Sequence, residues 1–160
     1  MNIFEELVKL LIEKKLTVSA AESCTGGRFA SEIVSVPNAS SVLEASFVTY
    51  SERAKTELVG VDADIINSFG VVSEKTAIEM AKGASEKAHS DIGVGITGYA
   101  GPSTDENDDT VGTVCFGFFV NGKTVSSTKH FGDIGRNAVR ELSVIYAAQT
   151  LIKLIKTFGE

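Results

Sequence analysis

Residues 17–27 read Thr17-Val18-Ser19-Ala20-Ala21-Glu22-Ser23-Cys24-Thr25-Gly26-Gly27. Thr17 to Ala21 are small and mostly apolar, as in a short buried strand. Arg28 to Val34 continue as a helix that must stop before Pro37. A strand turning directly into a helix is the unit from which α/β sheets are wound. The Ser23 hydroxyl then stands at the carboxyl edge of the sheet. The glycine pair lets the chain turn sharply and a ligand approach the backbone. The N–H groups that follow, at Thr25, Gly26 and Gly27, open a helix and are expected to hold a phosphate or a developing oxyanion. One short segment thus offers both a nucleophile and an anion site.

The flanks fit an α/β chain. Ile3, Phe4, Leu7, Leu10 and Leu11 recur at helical spacing, with Glu5, Glu6, Lys9 and Glu13 on the other face. Leu43 to Ser51 reads as a strand, Glu52 to Val59 as a short helix closed by Gly60, and Asp64 to Ser68 as a further turn. Ser73 caps a helix running to about Ala88, whose apolar positions Ala77, Ile78, Ala81, Ala84 and Ala88 are mostly small, so it packs closely on its neighbour. Asp91 to Thr97 is apolar at both parities, as in a strand covered on both faces. Val111 to Val120 and Lys123 to Phe131 flank Asn121-Gly122, a hairpin signal. A helix from about Arg136 to Thr157 follows. The expected fold is a three-layer α/β/α sandwich: a mixed, mostly parallel sheet with one antiparallel hairpin, in a single domain spanning residues 1–160.

Composition narrows the function. A net charge of −6 argues against a nucleic-acid partner, which needs a basic face. No apolar run approaches the roughly 20 residues that span a bilayer. The N-terminus lacks the layout of a signal peptide. Cys24 and Cys115 are far apart and in no metal-ligand spacing, so they read as reduced thiols of a cytoplasmic protein.

A nucleophilic serine needs a base. The two histidines, His89 and His130, sit in no motif, so a Ser-His-Asp arrangement has little support. Lysine is the other option, because a partly desolvated ammonium loses its proton more easily. Lys55 follows Tyr50-Ser51 by one helical turn and can reach the same sheet edge, where a Tyr50 hydroxyl could relay a proton. On spacing alone, Lys55 reads equally as a solvated helix residue and Tyr50 as strand filler. Ser51 competes as nucleophile, being i,i+4 from Lys55, and so does Cys24, since a helix N-terminus lowers a thiol pKa. A second glycine-rich turn, Thr97-Gly98-Tyr99-Ala100-Gly101-Pro102, ends the central strand, so two strand ends could frame one pocket. Arg136 and Arg140 share a helix face and would clamp a phosphate or carboxylate together, or else form a solvated basic face.

In these stretches the chain resembles the CinA C-terminal domain family, whose characterised members are nicotinamide-nucleotide amidohydrolases. The likeness rests on Ala21-Glu-Ser-Cys-Thr-Gly-Gly, Phe47-Val-Thr-Tyr-Ser with Ala54-Lys55, Gly70-Val-Val-Ser-Glu, Thr97-Gly-Tyr-Ala-Gly-Pro, Val111-Gly-Thr-Val and Arg136-Asn-Ala-Val-Arg140. It covers nearly the whole chain. The resemblance implies deamidation of nicotinamide mononucleotide to nicotinate mononucleotide and ammonia, with the family's serine, lysine and tyrosine at Ser23, Lys55 and Tyr50. It also implies a homodimer acting on a small molecule, with no metal and no cofactor. Two places depart from the family pattern. Ser103 to Thr110 is acidic where glycines and a cation are usual, and Ile134-Gly135 is an insertion expected to displace Arg136. Carboxylates at a pocket rim would oppose a phosphate, so the rival reading is a weak or inactive nucleotide-binding, regulatory protein.

Overall fold

In the computed structural model, which describes residues 1–103 and 107–158, the opening segment is strand β1, Val18–Glu22, buried along its whole length. It lies between β2 (Leu43–Val48) and β3 (Ile92–Gly98), parallel to both. β4 (Thr113–Val120) runs antiparallel to β3, and β5 (Lys123–His130) antiparallel to β4. The order is β2-β1-β3-β4-β5. Four strands therefore share one direction and β4 alone opposes them, as expected of a mostly parallel sheet carrying a hairpin. The chain order reverses between β1 and β3, where open α/β sheets place their ligands.

Alternation along the strands sorts the layers. Val18, Ala20, Val94, Ile96, Phe116 and Phe118 face a core shared with α1 (Ile3–Lys14), α2 (Arg28–Val34) and α6 (Arg136–Phe158). Ala21 faces the other way, toward α3 (Glu52–Val59), α4 (Ala63–Phe69) and α5 (Glu74–Ala88). Helices on both faces complete the three layers. α1 starts in a capping box: Asn2 Oδ1 accepts from the Phe4 and Glu5 amides at 2.9 Å, and Glu5 accepts from the Asn2 amide at 3.1 Å.

α5 is seated most closely. Gly93, Gly95 and Gly117 on the strands, and Gly83 on α5 itself, leave no room for a methyl: a Cβ at any of them would overlap the backbone of Ala77, Ala81 or Val59. The small residues of α5 therefore rest backbone to backbone on the sheet. Ser73 caps the helix, its side chain accepting from the Thr76 amide at 3.1 Å.

Several boundaries differ from expectation by one to three residues, β4 starting at Thr113 and not Val111 among them. β2 ends at Val48, not Ser51, because Ser51 turns outward to cap α3 by accepting from the Ala54 amide at 3.0 Å. Residues 64–68 form a full helix, α4, capped by Asp62. β1 runs one residue further, to Glu22, which pairs with Val48 and Ile96. No helix among the described residues is long and apolar enough to cross a membrane. Both cysteines are free and buried.

Candidate active site

Register brings the pieces together. With Glu22 opposite Ile96 and Val48, the ends of β1, β2 and β3 line up. The Ser23 amide donates to the Ile96 carbonyl at 2.9 Å, and the Thr49 amide to the Glu22 carbonyl at 2.9 Å. A cavity of about 500 Å³ opens above these ends, between Ser23, Lys55 and Thr97 below and Tyr50, Arg136 and Asp108 at the rim. That volume lies within the roughly 300–1,000 Å³ usual for small-molecule sites.

Lys55 is not the solvated helix residue that spacing allowed. It is 1% exposed, and its side chain runs back under the β2–α3 connection. Nζ lies 3.1 Å from Ser23 Oγ, 2.6 Å from the Thr49 carbonyl and 3.4 Å from the Tyr50 carbonyl. Burial lowers its pKa from 10.5 to about 8, because the charged form has lost its water; Cys24 and Glu52 oppose the shift. A neutral amine there keeps two N–H groups for the two carbonyls and turns its lone pair to Ser23. Ser23 Oγ also lies 3.5 Å from the Tyr50 carbonyl.

The competing nucleophiles fall away on geometry. Ser51 is exposed and its oxygen is spent on the α3 cap. The Cys24 thiol is pushed up to about 11, the reverse of the expected lowering: burial dominates, and its own amide, Arg140, Arg136 and Lys55 only partly offset it.

Glu22, which the sequence reading passed over, decides what the helix N-terminus can do. Its carboxylate is fully buried and accepts from the Phe29 amide at 2.7 Å, the Ala30 amide at 3.2 Å, Thr25 Oγ1 at 2.8 Å and Ser46 Oγ at 2.7 Å. The first-turn donors of α2 are thus spent on an internal anion, not left for a ligand phosphate. The Gly26 amide is also used, donating to the Ser23 carbonyl at 3.0 Å. Ser23 and Cys24 line the cavity, but Thr25, which is fully buried, Gly26 and Gly27 do not, so the anion site expected of this turn does not face the cavity. Gly26 and Gly27 have φ of 58° and 96°, a left-handed conformation that favours glycine. A signal for Glu22 was present: it shares the inward parity of Val18 and Ala20, where a carboxylate must find internal donors.

The two arginines part company. Arg136 reaches over the cavity rim, donating to the Gly101 carbonyl at 2.6 Å and to Tyr50 Oη at 2.8 Å. Arg140, one turn on, donates from Nε to the Cys24 carbonyl at 3.0 Å and from Nη2 to the Thr25 carbonyl at 3.1 Å. They do not converge on one anion. The insertion Ile134-Gly135 leaves Arg136 at the cavity, as the first residue of α6. Tyr50 is 61% exposed; its hydroxyl meets Arg136, and it is the Tyr50 carbonyl, not the hydroxyl, that faces Lys55 and Ser23. The relay expected of that hydroxyl has no hydrogen-bonded route among the described residues.

In the second glycine turn, Thr97 Oγ1 donates to the Val71 carbonyl at 2.9 Å, and Gly98 and Gly101 line the cavity. Of the acidic loop, Asp108 and Thr110 line it too; Thr104, Asp105 and Glu106 lie outside the described residues. Asp108 accepts from the Thr110 amide at 2.9 Å, and its bonds from Thr110 hold its carboxyl below the usual range. Among the described residues no group of acidic, histidine or cysteine side chains could hold a metal ion.

Comparison with known proteins agrees with this architecture. Residues 1–155 match the CinA C-terminal domain, and the chain belongs to that family. It is 44% identical over 146 residues to a CinA-like protein of Kosmotoga olearia, covering 91% of this chain and 35% of the relative. The chain spans about a third of the length of such curated relatives. Among solved structures, the competence/damage inducible protein CihA of Agrobacterium tumefaciens superposes with a TM-score of 0.87 at 36% identity, covering 96% of each chain. A CinA superfamily protein of Escherichia coli gives 0.89 at 35% identity, covering 95% of this chain and 88% of that one.

Proposed function

We propose that this domain, residues 1–160, is an amidohydrolase that deamidates nicotinamide mononucleotide to nicotinate mononucleotide, with Ser23 as nucleophile and Lys55 as base. The observation that carries the reading is the buried lysine amine 3.1 Å from the serine hydroxyl, with a pKa lowered to about 8. Neutral Lys55 takes the Ser23 proton, and the oxygen attacks the carboxamide carbon. The Lys55 ammonium returns its proton to the amide nitrogen, which leaves as ammonia, and water then hydrolyses the acyl-serine by the reverse route. Tyr50 supplies the carbonyl that orients Lys55 and a ring and hydroxyl at the rim. Arg136 is the cation best placed for the substrate phosphate. Thr97, Gly98 and Gly101 shape the floor. The reading includes a cytoplasmic homodimer, needing no cofactor.

Purified protein incubated with nicotinamide mononucleotide should release ammonia, and Ser23→Ala should stop it while melting as the parent does. A parent that releases none, yet melts higher with the nucleotide, would favour the non-catalytic binding reading, which Asp108 at the rim supports.

A further inference from the structure

Arg140 touches the turn that carries Ser23, at two main-chain carbonyls, and does not line the cavity. Those carbonyls belong to consecutive peptides. The Thr25 carbonyl shares a planar peptide with the Gly26 amide, and that amide donates to the Ser23 carbonyl at 3.0 Å. A grip on Thr25 is therefore passed through one rigid unit to Ser23 itself. The Cys24 carbonyl belongs to the peptide one residue nearer Ser23. From the other side, Glu22 holds Thr25 Oγ1 and the Phe29 amide. The Ser23 amide is pinned to β3. The Arg28 amide also donates to the Thr25 carbonyl, at 3.0 Å, but among the described residues no other charged side chain holds the carbonyl side of this turn.

We propose that Arg140 is a positioning residue: its guanidinium fork fixes the Cys24 and Thr25 peptides, and thereby the Ser23 hydroxyl, without touching substrate. The proposal rests on the amidohydrolase reading, and it removes Arg140 from the phosphate clamp. Both carbonyls are neutral, so the role depends on two directed donors and not on charge alone. Lysine, a point charge, cannot hold both in a fork.

The test is steady-state kinetics of Arg140→Ala and Arg140→Lys beside Arg136→Ala. Arg140→Ala should lose about fiftyfold in kcat, of the order that a misplacement of about 1 Å brings. Its KM should change less than about twofold. Added guanidinium ion should restore part of kcat. Arg136→Ala should show the opposite split. A raised KM with kcat intact in Arg140→Ala, no change, or loss without rescue would overturn the proposal. If Arg140→Ala melts too low to assay, Arg140→Lys must show the same split. Acylation of Ser23 by p-nitrophenyl acetate, followed by mass spectrometry, reads the turn without any amide. It should slow about tenfold in Arg140→Ala relative to the parent. If the parent releases no ammonia but that slowing is seen, the amide reading fails and the positioning role stands. Equal ammonia release by parent and variant leaves the amide reading intact and sinks the positioning role.

Discussion

The floor and the rim of the cavity are built on opposite terms. At the floor, Ser23 and Lys55 are buried, and their polar atoms meet main-chain carbonyls fixed by strand register. At the rim, Tyr50, Arg136 and Asp108 are exposed and reach one another or a loop through long side chains. A proton-transfer pair needs fixed sub-ångström geometry, which a packed sheet edge supplies. Substrate selection tolerates adaptable groups, which loops supply. The contrast assigns chemistry to the floor and selectivity to the rim, and it breaks if floor variants change KM alone or rim variants change kcat alone.

Lys55→Arg should have the largest effect. A guanidinium stays protonated, so the base is lost although charge is kept, and kcat should fall about a thousandfold or more. An active arginine variant would move the base elsewhere and dissolve the distinction.

The next effect is on pH. Neutral Lys55 is the working form, so kcat/KM should rise with pH through about 8 and level off above it. At pH 6 the neutral fraction, and with it the rate, should be about a hundredfold lower than on the plateau. Stability should carry the same signature. The folded-state pKa lies below the unfolded one, so between about 8 and 10.5 the unfolded chain binds the proton that the folded chain has released. Stability from this group therefore rises with pH across that window, and the cost of the buried charge is fully present below it. Urea titrations of the parent and Lys55→Met should show the parent gaining on the variant as pH rises from 8 to 10. A constant gap would mean that Lys55 is not desolvated in solution.

At the rim, Arg136→Ala should raise KM for the nucleotide about tenfold and leave kcat within about threefold, since one charge-assisted contact is lost. A fall in kcat with KM unchanged would make Arg136 part of the floor in function. The smallest effect is at Asp108. Asp108→Asn should lower KM for the nucleotide, relative to its dephosphorylated riboside, by about twofold to fivefold, and added salt should narrow the difference. Equal response of both substrates would mean that this carboxylate faces only solvent.

The floor was partly legible before the structure. Ser23 stood out because a hydroxyl followed by two glycines after a small-residue strand has few other uses. The tight seat of α5 was legible in its alanines. Lys55 was ambiguous because helical spacing records only one helix, and its burial depends on β2 ending early and turning the Thr49 and Tyr50 carbonyls inward. Glu22 was missed because a carboxylate looks polar along the sequence, whereas its four donors come from Thr25, Phe29, Ala30 and Ser46, brought together only by the fold. The arginines misled for a related reason. A helix face fixes where side chains start, but residues 136 and 140 start about 6 Å apart along the axis, and long stems carry their ends to different loops.

The missing methyls beneath α5 make the cavity answerable to distant positions. Val71 and Val72, in the segment leading to the Ser73 cap, form part of the cavity wall, and Thr97 is tied to the Val71 carbonyl. Because Gly93, Gly95 and Gly117 leave α5 no slack, one added carbon at any of them must lift the helix or bow the strand. Either movement is passed along a stiff rod to the wall where substrate would lie. These glycines therefore act as the zero of a caliper: they are remote from the chemistry, yet they set the width of its jaws.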